Sequence, residues 1–172
     1  MSYIVVDVES DGGAPGLFSM VCFGAIIVEP SLSKTFYGQV KPISDKFNPE
    51  ALAISGFSRE DHLKFPEPSV TMHDFAEWIK ANSKGAPILI SDNNGFDAAF
   101  INYYFLAFYG PNPFGWSSRR IGDIYCGHVK DSRARWKHLR KTTHTHHPVD
   151  DAKGNAEALL EIQKLGVKFK FE

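Results

Sequence analysis

Continuous apolar runs near the start of the chain predict its first strands. Residues 3–8 (YIVVDV) and 20–28 (MVCFGAIIV) are rich in β-branched side chains and nearly free of polar ones. Such runs are typical of strands that are buried on both faces of a sheet. A more polar run at 35–41 predicts a strand nearer a sheet edge, and PILISD at 87–92 predicts a fourth strand.

The segment between the third and fourth predicted strands shows helical patterns. Residues 49–55 and 58–63 predict two short helical turns, the second with Ser58 as its N-cap. A longer helix is predicted at about 69–83, where apolar residues fall on one stripe. The residues of that stripe are Val70, Phe75, Trp78 and Ile79.

Further helices are predicted in the second half of the chain. One at about 96–109 is apolar on nearly all sides, and another near 118–128 lies within the polar and basic stretch 111–147. A final amphipathic helix is predicted at about 148–165. Its start is placed at a proline, which is well suited to a first helical position. The alternating tail at 167–171 (VKFKF) predicts a short last strand.

This order of elements predicts an α/β fold with a mixed sheet, in a single domain that spans residues 1–172. The composition, 43% hydrophobic and 23% charged, is that of a folded globular protein. No apolar run reaches the roughly 18 residues of a membrane span. Because the start shows no signal-peptide pattern and two cysteines cannot form a disulfide framework, we expect a cytoplasmic protein without a membrane partner.

The net charge of −1 conceals a basic segment. From Arg119 to Lys141 the chain carries eight Lys or Arg side chains against two Asp, whereas the rest carries 11 basic and 18 acidic residues. A basic segment of this kind suits a polyanionic partner, and the acidic remainder suits metal ions.

Carboxylates stand at the ends of predicted elements in three parts of the chain. Asp7 and Glu9 end the first strand and are two residues apart, so their side chains point to the same face. Asp97 opens the helix after the fourth strand, and Asp151 opens the final helix five residues after His146. Converging carboxylates are costly without cations. The pattern therefore predicts two divalent cations, Mg²⁺ or Mn²⁺, in a site suited to phosphodiester hydrolysis.

These motifs, in this order, resemble those of a known family. A D-x-E near the start, an aspartate after a central strand and the segment HHPVDDA are similar to the three motifs of the DEDDh (DnaQ-like) 3′–5′ exonucleases. NPEALAISGFS at 48–58 resembles the stretch that precedes the first long helix in many members. The resemblance spans residue 3 to about residue 165. It implies a ribonuclease H-like fold with a mixed five-stranded sheet flanked by helices.

The resemblance also implies roles for the matching positions. Asp7, Glu9, Asp97 and Asp151 would hold the two cations. His146 would act as general base and take a proton from the attacking water. The 3′-terminal nucleotide would then leave as a nucleoside 5′-monophosphate.

Three further residues are expected to bind substrate. Ser10 follows D-x-E where the family usually has threonine, and it keeps the hydroxyl. Arg140 belongs to the basic segment, which would bind phosphates, and Phe18 or Trp116 would stack on terminal bases. The expected partners are 3′ ends of single-stranded RNA or DNA, with RNA slightly favoured. Whether the chain forms a homodimer is left open.

Other functions also fit parts of the sequence. D-x-E-x-D-G after an apolar strand is similar to a haloacid-dehalogenase-like phosphatase motif, but Glu9 stands where the second aspartate would be. A non-catalytic nucleic-acid-binding domain would be expected to have lost carboxylates, and all four are present. A third alternative is a zinc module built from Cys126, His128, His144, His146 and His147. The sequence lacks the paired CxxC spacing that is typical of such modules. The choice of His146 among its neighbours rests on the family spacing.

Overall fold

A five-stranded sheet with helices on both faces forms the centre of the protein. The structure, a computed structural model, describes residues 1–169. The strands are β1 (Ser2–Ser10), β2 (Met20–Ile27), β3 (Thr35–Gln39), β4 (Pro87–Ser91) and β5 (Ser118–Arg120). The helices are α1 (Pro49–Ile54), α2 (Arg59–His62), α3 (Pro68–Asn82), α4 (Asn94–Phe108), α5 (Ile121–Val129) and α6 (Pro148–Lys164), with a 3₁₀ turn at Lys137–Leu139.

The strand order is β3-β2-β1-β4-β5, which confirms the predicted mixed sheet. β2 pairs antiparallel with both β1 and β3, whereas β1, β4 and β5 run parallel to one another. Because β1 is central and parallel to β4, the carboxyl ends of both strands meet at one edge of the sheet. Sites of α/β proteins form at such edges.

The two faces of the sheet carry different helices. α3 and α4 cover one face, where Phe75 packs in a buried cluster with Val6 of β1. α6 covers the other face, where Val5 is buried. Side chains alternate along a strand, so Asp7 and Glu9 lie on the α6 face together with Val5. The predicted common face of the two carboxylates is therefore the face against which α6 packs.

The fifth strand is not the one predicted from the pattern. β5 lies within the predicted helix at 118–128, and the helix itself begins only at Ile121. Its polar residues adopt a strand because they pair with β4, a contact that the local sequence does not show. Residues 167–169 form no strand, and residues 170–171 of the predicted last strand lie outside the described residues.

The predicted cap of α2 is confirmed, whereas one residue of the apolar stripe predicted for α3 is not buried. Ser58 caps α2 as predicted, since its Oγ accepts the backbone N–H of Asp61 at 3.1 Å. In α3, Phe75 and Ile79 are buried, but Val70 is exposed. Five residues of helix turn a side chain by about 140°, which carries Val70 away from the face of Phe75. Within residues 1–169, no helix combines the length and apolar character needed to cross a membrane.

Candidate active site

Four predicted carboxylates converge at the carboxyl edge of β1 and β4. Carboxylate oxygens of Asp7, Glu9 and Asp151 all lie within 4.8 Å of one another. Asp97, in the first turn of α4, accepts the backbone N–H of Val8 on its Oδ1 at 3.2 Å. Three separate parts of the chain thus bring their carboxylates to one place, as the sequence predicts.

A glycine in β2 allows α6 to reach this edge. Gly24 pairs with Asp7 across the β1–β2 ladder. A Cβ at position 24 would lie 2.4 Å from the backbone carbon of Pro148 and the nitrogen of Val149, too close for any side chain. Pro148 is the first residue of α6, so the start of that helix rests directly on β2 beside Asp7. This close approach places Asp151 next to the β1 carboxylates.

Burial and mutual repulsion disturb the protonation of these carboxylates. Burial raises the pKa of Asp7 well above its usual range, and the negative charges of Asp97, Asp151 and Glu9 raise it further. Burial, followed by the charge of Asp151, raises the pKa of Glu9 to about 7. Burial also raises the pKa of Asp97 to about 7, although hydrogen bonds from Ser91 and Val8 oppose it. The positive charge of Arg140 lowers the pKa of Asp7 but does not offset burial and repulsion, and the oxygen donors of the cluster suit hard divalent cations.

Asp151 also holds the loop that precedes α6. Its Oδ1 accepts the backbone N–H of Thr145 at 3.2 Å, and its Oδ2 accepts that of His146 at 3.0 Å. Arg140 Nη2 donates to the same Oδ1 at 3.0 Å. The side chain of Asp151 is almost completely buried, so these contacts fix both the carboxylate and the loop. One aspartate thus couples the helix start to the histidine segment.

His146 stands at the rim of the carboxylate cluster. Its backbone φ of +61° is left-handed, a conformation that costs a non-glycine residue roughly 1–2 kcal/mol. The two N–H bonds from residues 145 and 146 to Asp151 offset this cost. The imidazole is 51% exposed, and its Nδ1 lies 3.7 Å from Oε1 of Glu9. The predicted base is therefore open to solvent on one side and next to the cluster on the other.

The neighbouring histidines occupy different environments. The ring of His147 stacks on Tyr37 of β3 at 5.2 Å, away from the carboxylates. His144 lies closer to the cluster, because its Nδ1 is 2.8 Å from Oδ1 of Asp151. Among the described residues, no group of potential metal ligands includes Cys126 or His128, which argues against the alternative of a zinc module built from all five residues.

Two of the predicted substrate-binding residues are engaged inside the protein. Ser10 is buried, and its Oγ donates to the carbonyl of Gly12 at 2.6 Å, which shapes the β1–β2 loop. The side chain of Arg140 is only 9% exposed and is paired with Asp151. Gly154 of α6 makes room for it, because a Cβ there would lie 2.5 Å from Arg140 Nε. Sequence patterns did not indicate either contact.

The predicted aromatic contacts differ in exposure. Phe18 is partly buried and lies in the β1–β2 loop, where a Cβ on Gly12 would lie 2.2 Å from its ring. Trp116 is 86% exposed and lies just before β5. Both rings therefore lie in or next to loops that flank the sheet, and Trp116 is free to stack on a ligand.

A buried charged network supports the β1–β2 loop and was missed by the sequence analysis. Asp11 is fully buried; its Oδ1 accepts the N–H of Ser19, and its Oδ2 accepts Arg59 Nη1 at 2.9 Å. Burial lowers the pKa of His62 to about 4, so this histidine is neutral despite lying 3.8 Å from Asp11. Its Nε2 donates to the carbonyl of Met20 at 3.2 Å. In the sequence, only Ser58, the predicted N-cap of α2, indicated a structural feature in this part of the chain.

A basic cavity lies at the same edge of the sheet. Its volume is about 640 Å³, and it is reached from the ends of β4 and β5, where Asp92 and Arg120 line it. Lys137 Nζ lies 2.8 Å from Asp92 Oδ2, and Arg120 Nε donates to the carbonyl of Asp92 at 3.1 Å. The other basic residues of its wall are Arg133 and Arg135. Part of the basic segment thus faces a cavity that Asp92 and Asn93 also line, between the end of β4 and the start of α4.

The sequence is similar to that of a characterised nuclease. It is 36% identical over 184 aligned positions to the 3′–5′ DNA exonuclease Cap18 of Escherichia coli, an alignment that covers 99% of this chain and 96% of that protein. No model of a protein family matches the chain.

Solved nuclease structures share the fold. The nuclease domain of 3′hExo, described as a DEDDh family member bound to rAMP, superposes with a TM-score of 0.79 at 16% identity, over 99% of this chain and 96% of that domain. The zinc-bound complex of E. coli ExoI with single-stranded DNA gives a TM-score of 0.72 at 19% identity, over 95% of this chain. The chain spans 40% of the length of that second protein.

Proposed function

Because the chain belongs to the DEDDh family of 3′–5′ exonucleases, we propose that it degrades single-stranded DNA from the 3′ end and releases nucleoside 5′-monophosphates. The observation that carries this proposal is the convergence of four carboxylates beside the exposed imidazole of His146. The ribonuclease H-like fold and the 3′–5′ exonuclease activity on nucleic acid follow from family membership. The substrate, the product and the residue roles are the proposal.

We propose that Asp7, Glu9, Asp97 and Asp151 hold two divalent cations. Enzymes of this family use divalent metal ions, and the cluster of buried, mutually repelling oxygen donors fits such ions. When bound, two such cations activate a water molecule and stabilise the charge of the phosphate. We propose Mg²⁺ or Mn²⁺ because all four donors are carboxylates.

His146 is the proposed general base. A base must reach the water that attacks the phosphorus, and the position of the exposed imidazole 3.7 Å from Glu9 supports this role. Histidine is the side chain that most often acts as a general base in enzymes. Asp151 accepts the backbone N–H of His146, and this bond holds the residue at the edge of the cluster.

The remaining residues of the proposal bind or position. Ser10 and Arg140 support the site from inside, through the β1–β2 loop and Asp151 respectively. Phe18 or Trp116 is proposed to stack on bases near the 3′ end. The basic cavity at Arg120 and Arg133 is proposed to take the backbone phosphates of the strand upstream of the cut. We propose one domain over 1–172, because the described residues pack around a single sheet.

We propose DNA as the preferred substrate, in contrast to the slight preference for RNA expected from the sequence. The support is the similarity to the 36% identical relative, a 3′–5′ DNA exonuclease. Digestion of both polymers tests this choice directly.

The test is digestion of matched 5′-labelled DNA and RNA oligonucleotides, single- and double-stranded, with Mg²⁺ or Mn²⁺. We expect single-stranded DNA to shorten fastest. Faster shortening of RNA would overturn the substrate proposal and leave the exonuclease activity intact. Asp7→Asn protein from the same preparation serves as the control for contaminating nucleases, and it is expected to degrade neither polymer.

A further inference from the structure

His144 is not used by the proposed reaction, yet it lies inside the site. Its Nδ1 is 2.8 Å from Oδ1 of Asp151, and its ring lies 4.3 Å from that of His146 at an interplanar angle of 70°. Each of these three side chains offers a ligand atom within 4.8 Å of the others. They form a second group of potential metal ligands, which shares only Asp151 with the group of Asp7, Glu9 and Asp151.

The donors of this second group select a different class of ion. Two imidazoles and one carboxylate are typical ligands of zinc, which takes three protein ligands and leaves a fourth position open. Mg²⁺ prefers oxygen donors and near-octahedral geometry, so the two imidazoles do not favour it. The cluster of His144, His146 and Asp151 is therefore chemically distinct from the neighbouring carboxylates.

The observed distances are compatible with such an ion. Ligand atoms on a tetrahedral zinc ion lie about 3.3 Å apart, given metal–ligand distances of about 2.0–2.2 Å. The contact of His144 Nδ1 with Asp151 at 2.8 Å must therefore open by about 0.5 Å. Both imidazoles are about half exposed, at 52% and 51%, so they are free to adjust and an ion can enter from solvent. Arg140 on the same carboxylate opposes binding, while Asp7 and Glu9 favour it.

We propose that His144, His146 and Asp151 form a binding site for a zinc-class transition metal ion, and that its occupation inhibits the nuclease. The ion would bind the imidazole of His146, the proposed base, and at the same time the carboxylate of Asp151, a proposed ligand of the catalytic cations. Inhibition rests on the proposed function, whereas binding of the ion does not. The site gives the enzyme sensitivity to zinc in the presence of excess Mg²⁺.

Zinc binding is tested directly on the full chain without Mg²⁺, by competition with a chromogenic chelator. We expect His144→Gln to weaken Zn²⁺ binding at least tenfold. His147→Gln is the matched control, because this neighbour is equally exposed but stacks on Tyr37, and it is expected to bind Zn²⁺ within twofold of wild type. Mn²⁺ affinity, measured in the same preparations, is expected to be the same in His144→Gln and wild type within twofold.

The outcomes separate the proposals. Equal Zn²⁺ affinity of His144→Gln and wild type would overturn the site, as would an equal loss of Mn²⁺ and Zn²⁺ affinity, which would place zinc among the carboxylates. Zinc titrated against nuclease activity in excess Mg²⁺ should give a half-inhibiting concentration at least tenfold higher in His144→Gln. A protein that binds zinc as expected but shows no nuclease activity would contradict the proposed function and the inhibition while leaving the binding site in place.

Discussion

The backbone N–H of His146 donates to Oδ2 of Asp151 at 3.0 Å, so a proposed metal ligand positions the proposed base. The N–H of Thr145 reaches the other oxygen of the same carboxylate. The five-residue spacing of the third motif therefore has a physical reason. It closes a loop over the first turn of α6 and places the imidazole beside Glu9.

Replacement of the neighbouring histidines tests which one is the base. We expect His146→Ala to lose about 10²–10⁴-fold in kcat, the usual contribution of a general base, and to keep its Mn²⁺ affinity. His147→Ala should stay within about tenfold of wild type, a barrier change of roughly 1.4 kcal/mol or less, because its ring stacks on Tyr37. Single-turnover rates on a labelled oligonucleotide measure both. An inactive His147→Ala together with an active His146→Ala would show that the register of the third motif is wrong.

Removal of one charge from the carboxylate cluster tests the metal site. Asp7→Asn relieves repulsion among buried carboxylates, so the metal-free variant should gain about 1 kcal/mol, or roughly 2–4 °C in Tm. The same variant should lose activity, and Mn²⁺ should raise its Tm much less than that of wild type. Thermal unfolding with and without Mn²⁺ provides the measurement. Equal stabilisation of both proteins by Mn²⁺ would count against these ligands.

A side chain at Gly24 should separate the two halves of the site. Gly24→Ala places a Cβ 2.4 Å from backbone atoms of Pro148 and Val149, which cannot move without shifting α6. We expect a loss of about 1–3 kcal/mol in the free energy of unfolding and at least a tenfold loss of activity. Gly127→Ala is the control, because nothing lies within 4 Å of its new Cβ and alanine favours a helix. Equal activity of both variants would contradict the proposed packing.

The buried histidine of α2 predicts a specific pH dependence of stability. Burial lowers the pKa of His62 to about 4, below the value near 6.5 of an unfolded chain. The unfolded chain therefore binds a proton first, so the contribution of His62 is complete above about pH 6.5 and is lost as the pH falls toward 4.

His62→Gln removes this titration. Between pH 7 and pH 5 we expect wild type to lose roughly 1–2 kcal/mol more of its free energy of unfolding than the variant, at about 1.4 kcal/mol per pKa unit. The metal-site carboxylates titrate in both proteins, so their effect cancels in the comparison. Urea unfolding at the two pH values measures it, and parallel losses in both proteins would show that His62 is not buried and neutral.

Local sequence patterns predicted the parts of the fold whose side chains are sorted by burial. β1, β2 and α6 carry clear apolar patterns, and each forms close to its predicted bounds. β5 has three polar or basic residues and exists only through its pairing with β4, so no local pattern distinguishes it. The sheet was predicted correctly in kind, with its fifth strand in the wrong place.

In the site, too, features set by the local sequence were predicted and features set by long-range contacts were not. The four carboxylates were predicted because strand ends and helix starts are local features that a resemblance can align. The positions of Arg140 and His144 depend on the loop before α6, which is held by long-range contacts such as Glu157 with Thr142. The prediction that Arg140 binds substrate rested on its charge alone. Its burial against Asp151 follows from the space left by Gly154, which is visible only in the folded chain.

The direction of degradation tests the central claim most directly. A 5′-labelled single-stranded DNA and a circular single strand are each incubated with wild-type protein and Mg²⁺, and the products are resolved at single-nucleotide spacing with and without a chelator. We expect a ladder that shortens by one nucleotide at a time from the 3′ end, no cutting of the circle and no reaction with the chelator. Internal cuts in the circle, or shortening that persists without metal, would contradict it.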